Sequence, residues 1–323
     1  MDKKQLKKDT KGKQNSVKLF MDFALYDKSR LFANETSKER GKFPEEKSFM
    51  KIPPISTLLK NISIMKPTLS SILKSKKLID KFEKKDGFKK ITKEQFDIVY
   101  NRLKKLGIDQ IGCVKISEKD VFTHLGIPLG APYEYLLVFT DEQNKDKILT
   151  SPSIESMLAV GEIYGTTGNA SNEISIILDN MGFGAMPSHS LGGVIDYTKL
   201  AMRANLGHIG RHGILIEPKS GANHRIGAVF TNIDNLEDFF DNNEDYTWVE
   251  DFCKQCGKCI KSCPAKAIYN EKQIDQKGFV TCMEYKKCNN EFGSQFGCNI
   301  CVAVCPFTVV GYDKIKKSFK KSK

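Results

Sequence analysis

The hydrophobic pattern becomes regular at residue 92. Phe96, Val99, Leu103 and Leu106 recur at helical spacing, Thr92 and Gln95 are placed as a capping box, and Gly107 follows, so the spacing predicts an amphipathic surface helix over 92–106. Short apolar runs then alternate with helical patterns. Residues 111–116 and 135–140 read as strands, 152–164 and 171–181 as two helices, and 195–204 as a third. Residues 213–217 and 226–231 read as further strands, the second ending before an acidic linker over 234–245. Such alternation predicts an α/β or α+β sandwich of about 140 residues. Before it, residues 1–90 have weak periodicity interrupted by Pro44, Pro53, Pro54 and Pro67, which predicts an extension wrapped on the body and partly helical.

Composition adds less. The 323 residues are 40% apolar and 28% charged, enough for a buried core and for about two domains, and this excludes collagen-like and wholly disordered classes. No apolar run approaches the roughly 20 residues that span a bilayer, and the lysine-rich start has no apolar stretch of a secretory signal, so the expectation is a cytoplasmic protein. The net charge of +12 is unevenly spread. Residues 1–110 carry 28 Lys+Arg against 14 Asp+Glu, and residues 312–323 carry 6 against 1. The middle is mildly acidic, so the basic excess reads as a solvated extension and tail rather than a nucleic-acid face, and no polyanion partner is expected.

Cysteine usage changes the picture. Nine of the ten cysteines, all but Cys113, lie between Cys253 and Cys305. Cys253, Cys256, Cys259 and Cys263, followed by Pro264, have the C-x2-C-x2-C-x3-C-P spacing of a bacterial ferredoxin half. Cys298, Cys301 and Cys305, followed by Pro306, form a second run, preceded by Cys282 and Cys288. Three thiolates on a tight turn cap one cubane while the fourth serves the other. The spacing therefore assigns one [4Fe-4S] cluster to Cys253, Cys256, Cys259 and Cys305, and a second to Cys263, Cys298, Cys301 and one of Cys282 or Cys288. Each proline is expected to stop the turn from continuing as a helix. Paired zinc knuckles have a different spacing, and a disulfide framework does not suit a chain that keeps its thiols reduced. Cys113, inside an apolar run, reads as a buried strand residue.

No phosphate-binding loop or dinucleotide fingerprint accompanies the clusters; Gly207, Gly210 and Gly213 are spaced G-x-x-G-x-x-G. Tandem clusters conduct single electrons, so the body is expected to hold a one-electron centre or to dock a partner that has one.

The stretch from Met186 to Pro218, with P-S and then L-G-x-x-G-R-x-G-x-L-I-x-P, followed by G-x-x-x-R, V-F-T and the second cysteine run, resembles the corrinoid-binding region of reductive dehalogenases. Epoxyqueuosine reductases are the more distant sister family. The resemblance implies an α/β (α+β) cobalamin-binding domain like the nitroreductase-like sandwich of that family, followed by a ferredoxin-like 2[4Fe-4S] domain. It also implies a base-off cobalamin held between them, with no protein histidine on cobalt. In such a site Gly207, Gly210 and Gly213 let the backbone approach the macrocycle and its tail. Pro187 and Arg211 belong to the same contact set, and Ser188 and Ser190 hydrogen-bond corrin amides. Tyr164 matches the family's tyrosine proton donor and Arg225 its neighbouring cation. A free phenol holds its proton until about pH 10, which is why a positive neighbour is needed. The spacing in relatives favours Cys282 over Cys288 as the eighth ligand, leaving Cys288 a spare thiol, and implies that the Cys253 set lies nearer cobalt. The chain departs from the family at Ser190, where Asn is common, and at Asn232, where Asp is usual.

The sequence thus predicts a basic extension over 1–90, a corrinoid-binding domain over 91–245, a double-cluster domain over 246–311 and a basic tail over 312–323. The expected function is a cytoplasmic corrinoid iron-sulfur oxidoreductase that cleaves a small substrate, with organohalides as the class the resemblance suggests, using electrons from a low-potential donor such as ferredoxin or flavodoxin. The competing readings are epoxyqueuosine-type reduction on tRNA and a non-catalytic electron carrier or corrinoid-protein activator. Substrate, donor and oligomeric state are not legible.

Overall fold

The computed structural model describes residues 53–117, 120–121, 123–124, 127–128, 131–188, 193–241, 243–274 and 280–321. At its centre is a four-stranded antiparallel sheet of β1 (Gln110–Lys115), β2 (Tyr135–Glu142), β3 (Ala185–Ser188) and β4 (His224–Thr231), in the order β1-β2-β4-β3. Val114, Leu136, Phe230 and Met186 are register partners across it and face one core cluster. Cys113, Leu137 and Val229, one residue along, face the other. Because successive side chains alternate faces and both faces are covered, these strands read as unbroken apolar runs. Burying Phe139 or Phe230 completely, as here, stabilises the fold by about 1.5–3 kcal/mol each.

Three helices pack around this sheet: α1 (Ile62–Asp80), α2 (Lys93–Lys105) and α3 (Ile154–Asn180). In α2 the expected capping box is complete, Thr92 and Gln95 each accepting the other's backbone N–H. The two helices expected over 152–164 and 171–181 are one. The helix runs on through Gly165, Thr166, Thr167 and Gly168, weak helix formers, because tertiary packing overrides propensity. At Gly165 an added Cβ would lie 2.9 Å from Thr68 Oγ1 and 3.1 Å from Thr68 Cα, so the missing side chain lets α1 and α3 approach closely. Polar groups seal the same seam. Thr68 donates to Gly161 O at 2.7 Å, Ser75 to Asn172 Oδ1 at 2.7 Å, and Asn172 to Ser71 O at 2.9 Å. The part of the expected extension that is described is therefore a helix docked on the body; residues 1–52 lie outside the described residues.

The acidic stretch over 234–245 is not a bare linker. It contains a 3-10 turn, Leu236–Phe239, and Phe239 stacks on Phe96 at 4.5 Å between ring centroids. Asn232 has a structural task that suits its residue type: its amide oxygen accepts from Gly184 N and its amide nitrogen donates to Gly87 O. A carboxylate performs only the first of these.

After α4 (Tyr197–Arg203), the cysteine block opens in α5 (Trp248–Cys256). It includes a hairpin of β5 (Ile268–Ile274) and β6 (Val280–Met283) and the helix α6 (Tyr285–Ser294). The basic tail is not solvated: it forms α7 (Tyr312–Lys321). Its Phe319 is buried against Trp248 and Phe252, and its Tyr312 hydroxyl accepts from Trp248 Nε1 at 3.1 Å, while the lysines face outward. Charge counting misses such a helix because its apolar positions are few and far apart.

Candidate iron-sulfur and corrinoid site

Cys253 and Cys256 occupy the last turn of α5, three residues apart and hence on one face. Gly257, at φ +60°, ends that helix, and the chain re-enters a short helix, Lys258–Ser262, carrying Cys259, with Cys263 beyond its end. The second run is built similarly: Cys301 lies on Ile300–Ala303, and Cys305 caps Pro306–Val309. Pro306 therefore opens a helix at its first position rather than simply ending one. One hollow is lined by Cys253, Cys256, Cys259 and Cys305, together with Arg211, His212 and Phe307. That is the first quartet expected from spacing. Burial pushes the Cys259 thiol up to about 11 and the Cys305 thiol to about 12, each with cysteine neighbours adding to it. The donor set fits a cluster, which takes these groups as thiolates.

The expected eighth ligand is Cys282, with Cys288 a spare thiol; Cys288 stands on the first turn of α6. Burial pushes its thiol up to about 11, with Cys263 and Cys298 as the charged neighbours, and Cys301 in turn has Cys288, Cys298 and Cys263 around it. Cys282 faces elsewhere. The register of the hairpin shifts between Thr281 and Met283, and this irregularity at Cys282 turns its sulfur toward Gly210 O, 4.0 Å away, and toward Gly213. Cys263, Cys298 and Cys301 are thus within electrostatic influence of Cys288, and Cys282 is buried against the Gly207–Gly213 segment. Cys113 is 4% exposed in β1, and burial pushes its thiol up to about 12.

Tyr164 and Arg225 meet. The guanidinium carbon of Arg225 lies 5.6 Å from the Tyr164 ring centroid, α3 supplying the phenol and β4 the cation. Arg225 Nη2 donates to Asn299 Oδ1 at 3.3 Å, so the pair is tied to the residue between Cys298 and Ile300. Asn299 is 5% exposed, and its backbone N–H donates to Ser151 Oγ at 2.8 Å. This second contact clamps the cysteine loop onto the residue just before α3. Sequence reasoning missed Asn299, and no local signal marks it: its role exists only once β4 and the second cysteine run are adjacent. The bond ties the Cys298 loop, not the Cys253 loop, to the tyrosine pair.

Tyr285, on α6, is exposed, and Cys288, Tyr164 and Asp196 lie within its electrostatic reach.

The residues expected at the ring also have contacts within the protein. Ser188 is fully buried, as is Pro187 beside it, and the Ser188 hydroxyl is hydrogen-bonded to Tyr197 Oη at 2.7 Å; Ser190 lies outside the described residues. At Gly207 an added Cβ would lie 2.2 Å from Ile216 O, and at Gly210 it would meet Ile216 Cδ1 at 2.7 Å and His212 Cε1 at 2.9 Å. These glycines let the chain approach itself across the His208–Ile209 and Leu215–Ile216 hairpin. Gly213, at φ +80°, turns it. Arg211 is 4% exposed, lines the first hollow and pairs with Glu250 at 3.5 Å.

Together these features define a protein with a C-terminal iron-sulfur domain beside a mixed helix and strand body. Residues 252–309 match the family model of the 4Fe-4S dicluster domain. The chain is 31% identical over 190 residues to a tetrachloroethene reductive dehalogenase of Desulfitobacterium hafniense, covering 54% of this chain and 33% of that one. It is 29% identical over 126 residues to an epoxyqueuosine reductase of Lactococcus garvieae, covering 36% and 32%. A solved reductive dehalogenase, described as suggesting a mechanism for B12-dependent dehalogenation, superposes with a TM-score of 0.70 at 16% identity, covering 92% of this chain and 46% of that one. The relatives in sequence and the neighbour in fold are thus reductive dehalogenases, with epoxyqueuosine reductases more distant, and both groups are oxidoreductases. The matched region spans about a third of the length of the curated relatives. Among the described residues no helix is long and apolar enough to cross a membrane.

Proposed function

We propose that this chain is a corrinoid iron-sulfur reductase acting on a small molecule, with an organohalide as the substrate class. The observation that carries the reading is Arg225, which sits over the Tyr164 ring and at the same time bonds the Cys298 loop through Asn299. A proton-donating pair is thereby attached to the place where electrons would arrive.

Cys253, Cys256, Cys259 and Cys305 would hold one [4Fe-4S] cluster, and Cys263, Cys288, Cys298 and Cys301 a second. Tyr164, Tyr285 and Arg225 would face the corrinoid. When bound, the clusters supply single low-potential electrons, and the corrinoid supplies a cobalt centre that accepts them. Tyr164 holds the proton delivered from its Oη to the carbon that loses its halide. Arg225 would hold the Tyr164 ring in place from its face, and Asn299 positions Arg225.

The test is anaerobic reconstitution of the full chain with iron, sulfide and hydroxocobalamin, followed by visible and EPR spectra and by reductive turnover of tetrachloroethene and of a bromophenol. Uptake of both cofactors and release of halide are expected. Tyr164→Phe is expected to lower turnover by about 10²–10⁴-fold while leaving iron and corrinoid uptake unchanged. A chain that fills both clusters yet stays indifferent to cobalamin overturns the corrinoid reading and leaves an electron carrier.

A further inference from the structure

The hollow of the first cysteine quartet contains two groups that the proposed chemistry does not use. His212 is 2% exposed and Arg211 4%, and both line the hollow with Cys253, Cys256, Cys259 and Cys305. His212 Nε2 and Arg211 Nε have no hydrogen-bond partner in the protein. Buried polar atoms are nearly always bonded, so two unpartnered ones bordering the same hollow point to an acceptor that belongs there.

The proton on His212 can be located. Its Nδ1 accepts the backbone N–H of Ile214 at 3.1 Å. That nitrogen must present a lone pair, so the proton of the neutral ring is on Nε2, and Nε2 is a donor. The Arg211 guanidinium shares Glu250 with Lys272, which comes closer, and its Nε–H remains as a directional donor.

We infer that His212 Nε2–H, with Arg211 Nε–H beside it, donates to sulfur of the cluster held by Cys253, Cys256, Cys259 and Cys305, and that His212 thereby sets the potential of this cluster above the value it would otherwise have. An N–H donated to sulfur stabilises the more negative, reduced state, and hydrogen bonding to sulfur is one of the levers that set cluster potentials. His212 is on this view a tuning residue, reaching the reaction only through the cluster. The inference rests on the two-cluster reading above.

EPR-monitored redox titration of the anaerobically reconstituted full chain tests it, with iron content measured first. Wild-type protein that takes up no iron defeats the cluster reading itself. With both clusters present, His212→Phe is expected to move one reduction step, and only one, to lower potential. The expected size is about a tenfold fall in the ratio of reduced to oxidised cluster at fixed poise, equivalent to about 59 mV for one electron. His212→Gln, which keeps an N–H near the same place, is expected to restore the step. An unmoved step, or equal movement of both steps, overturns the inference. Should His212→Phe fail to hold its iron, the decision falls to 15N hyperfine coupling in wild-type protein labelled at histidine. A coupling to the reduced cluster that disappears in His212→Gln upholds the donor, and its absence from wild type overturns it.

Discussion

Cys282 and Cys288 are six residues apart in sequence, yet one lies at a hairpin irregularity facing Gly210 and the other on a helical turn facing three cysteines. Cys288→Ala is therefore expected to lose about half of the bound iron after reconstitution, and Cys282→Ala to keep it all, as iron-to-protein ratios will show. The opposite result would restore the assignment drawn from relatives. Asp120 offers a second test at this scale. It is fully buried, and burial pushes its carboxyl up, but the Ser117 amide and hydroxyl and the Arg203 guanidinium outweigh this and hold it below the ordinary range. Because its folded value is depressed, its contribution to stability is complete above the unfolded value of about 3.9 and is lost as pH falls through the folded value. Melting curves should lose stability below about pH 4, and Asp120→Asn should flatten that slope while costing about 3 kcal/mol at neutral pH.

At the scale of elements, hydrophobic periodicity located three of the four sheet strands and α2 because their apolar positions repeat locally, and it missed Ala185–Ser188. It failed where an element is held by something other than an apolar stripe. The seam between α1 and α3 is made of Thr68, Ser71, Ser75, Gly165 and Asn172, whose small and polar side chains give no apolar signal until the partner helix is placed against them. The last helix, α7, is held by Tyr312 and Phe319 against Trp248 and Phe252. Phe319→Ala is expected to destabilise this corner by about 3 kcal/mol, visible as a lowered unfolding midpoint. Trp248 is the chain's one tryptophan and lies in the same aromatic group, so its fluorescence will report the change directly. An unchanged midpoint and emission would mean that the tail does not dock.

For the whole molecule, two kinds of stability are combined. The antiparallel sheet is covered on both faces by apolar clusters, whereas the cysteine block is short helices and a small hairpin around ligand sulfurs. Removing iron by chelation under air should open the block to trypsin between Lys254 and Lys287 while the sheet body resists, because ligand binding is part of the folding energy of such a block. Proteolysis spread evenly over both parts would count against this division. By itself the sequence determined the iron-sulfur chemistry and most of the sheet, since thiolate spacing within a turn and apolar alternation along a strand are local properties of the chain. Only the tertiary structure decided that Asn299 joins Arg225 to the Cys298 loop, that Cys282 sits against Gly210, and that Gly207 makes room for the backbone at Ile216. Each of these depends on segments far apart in sequence being brought together, and no local pattern encodes that distance.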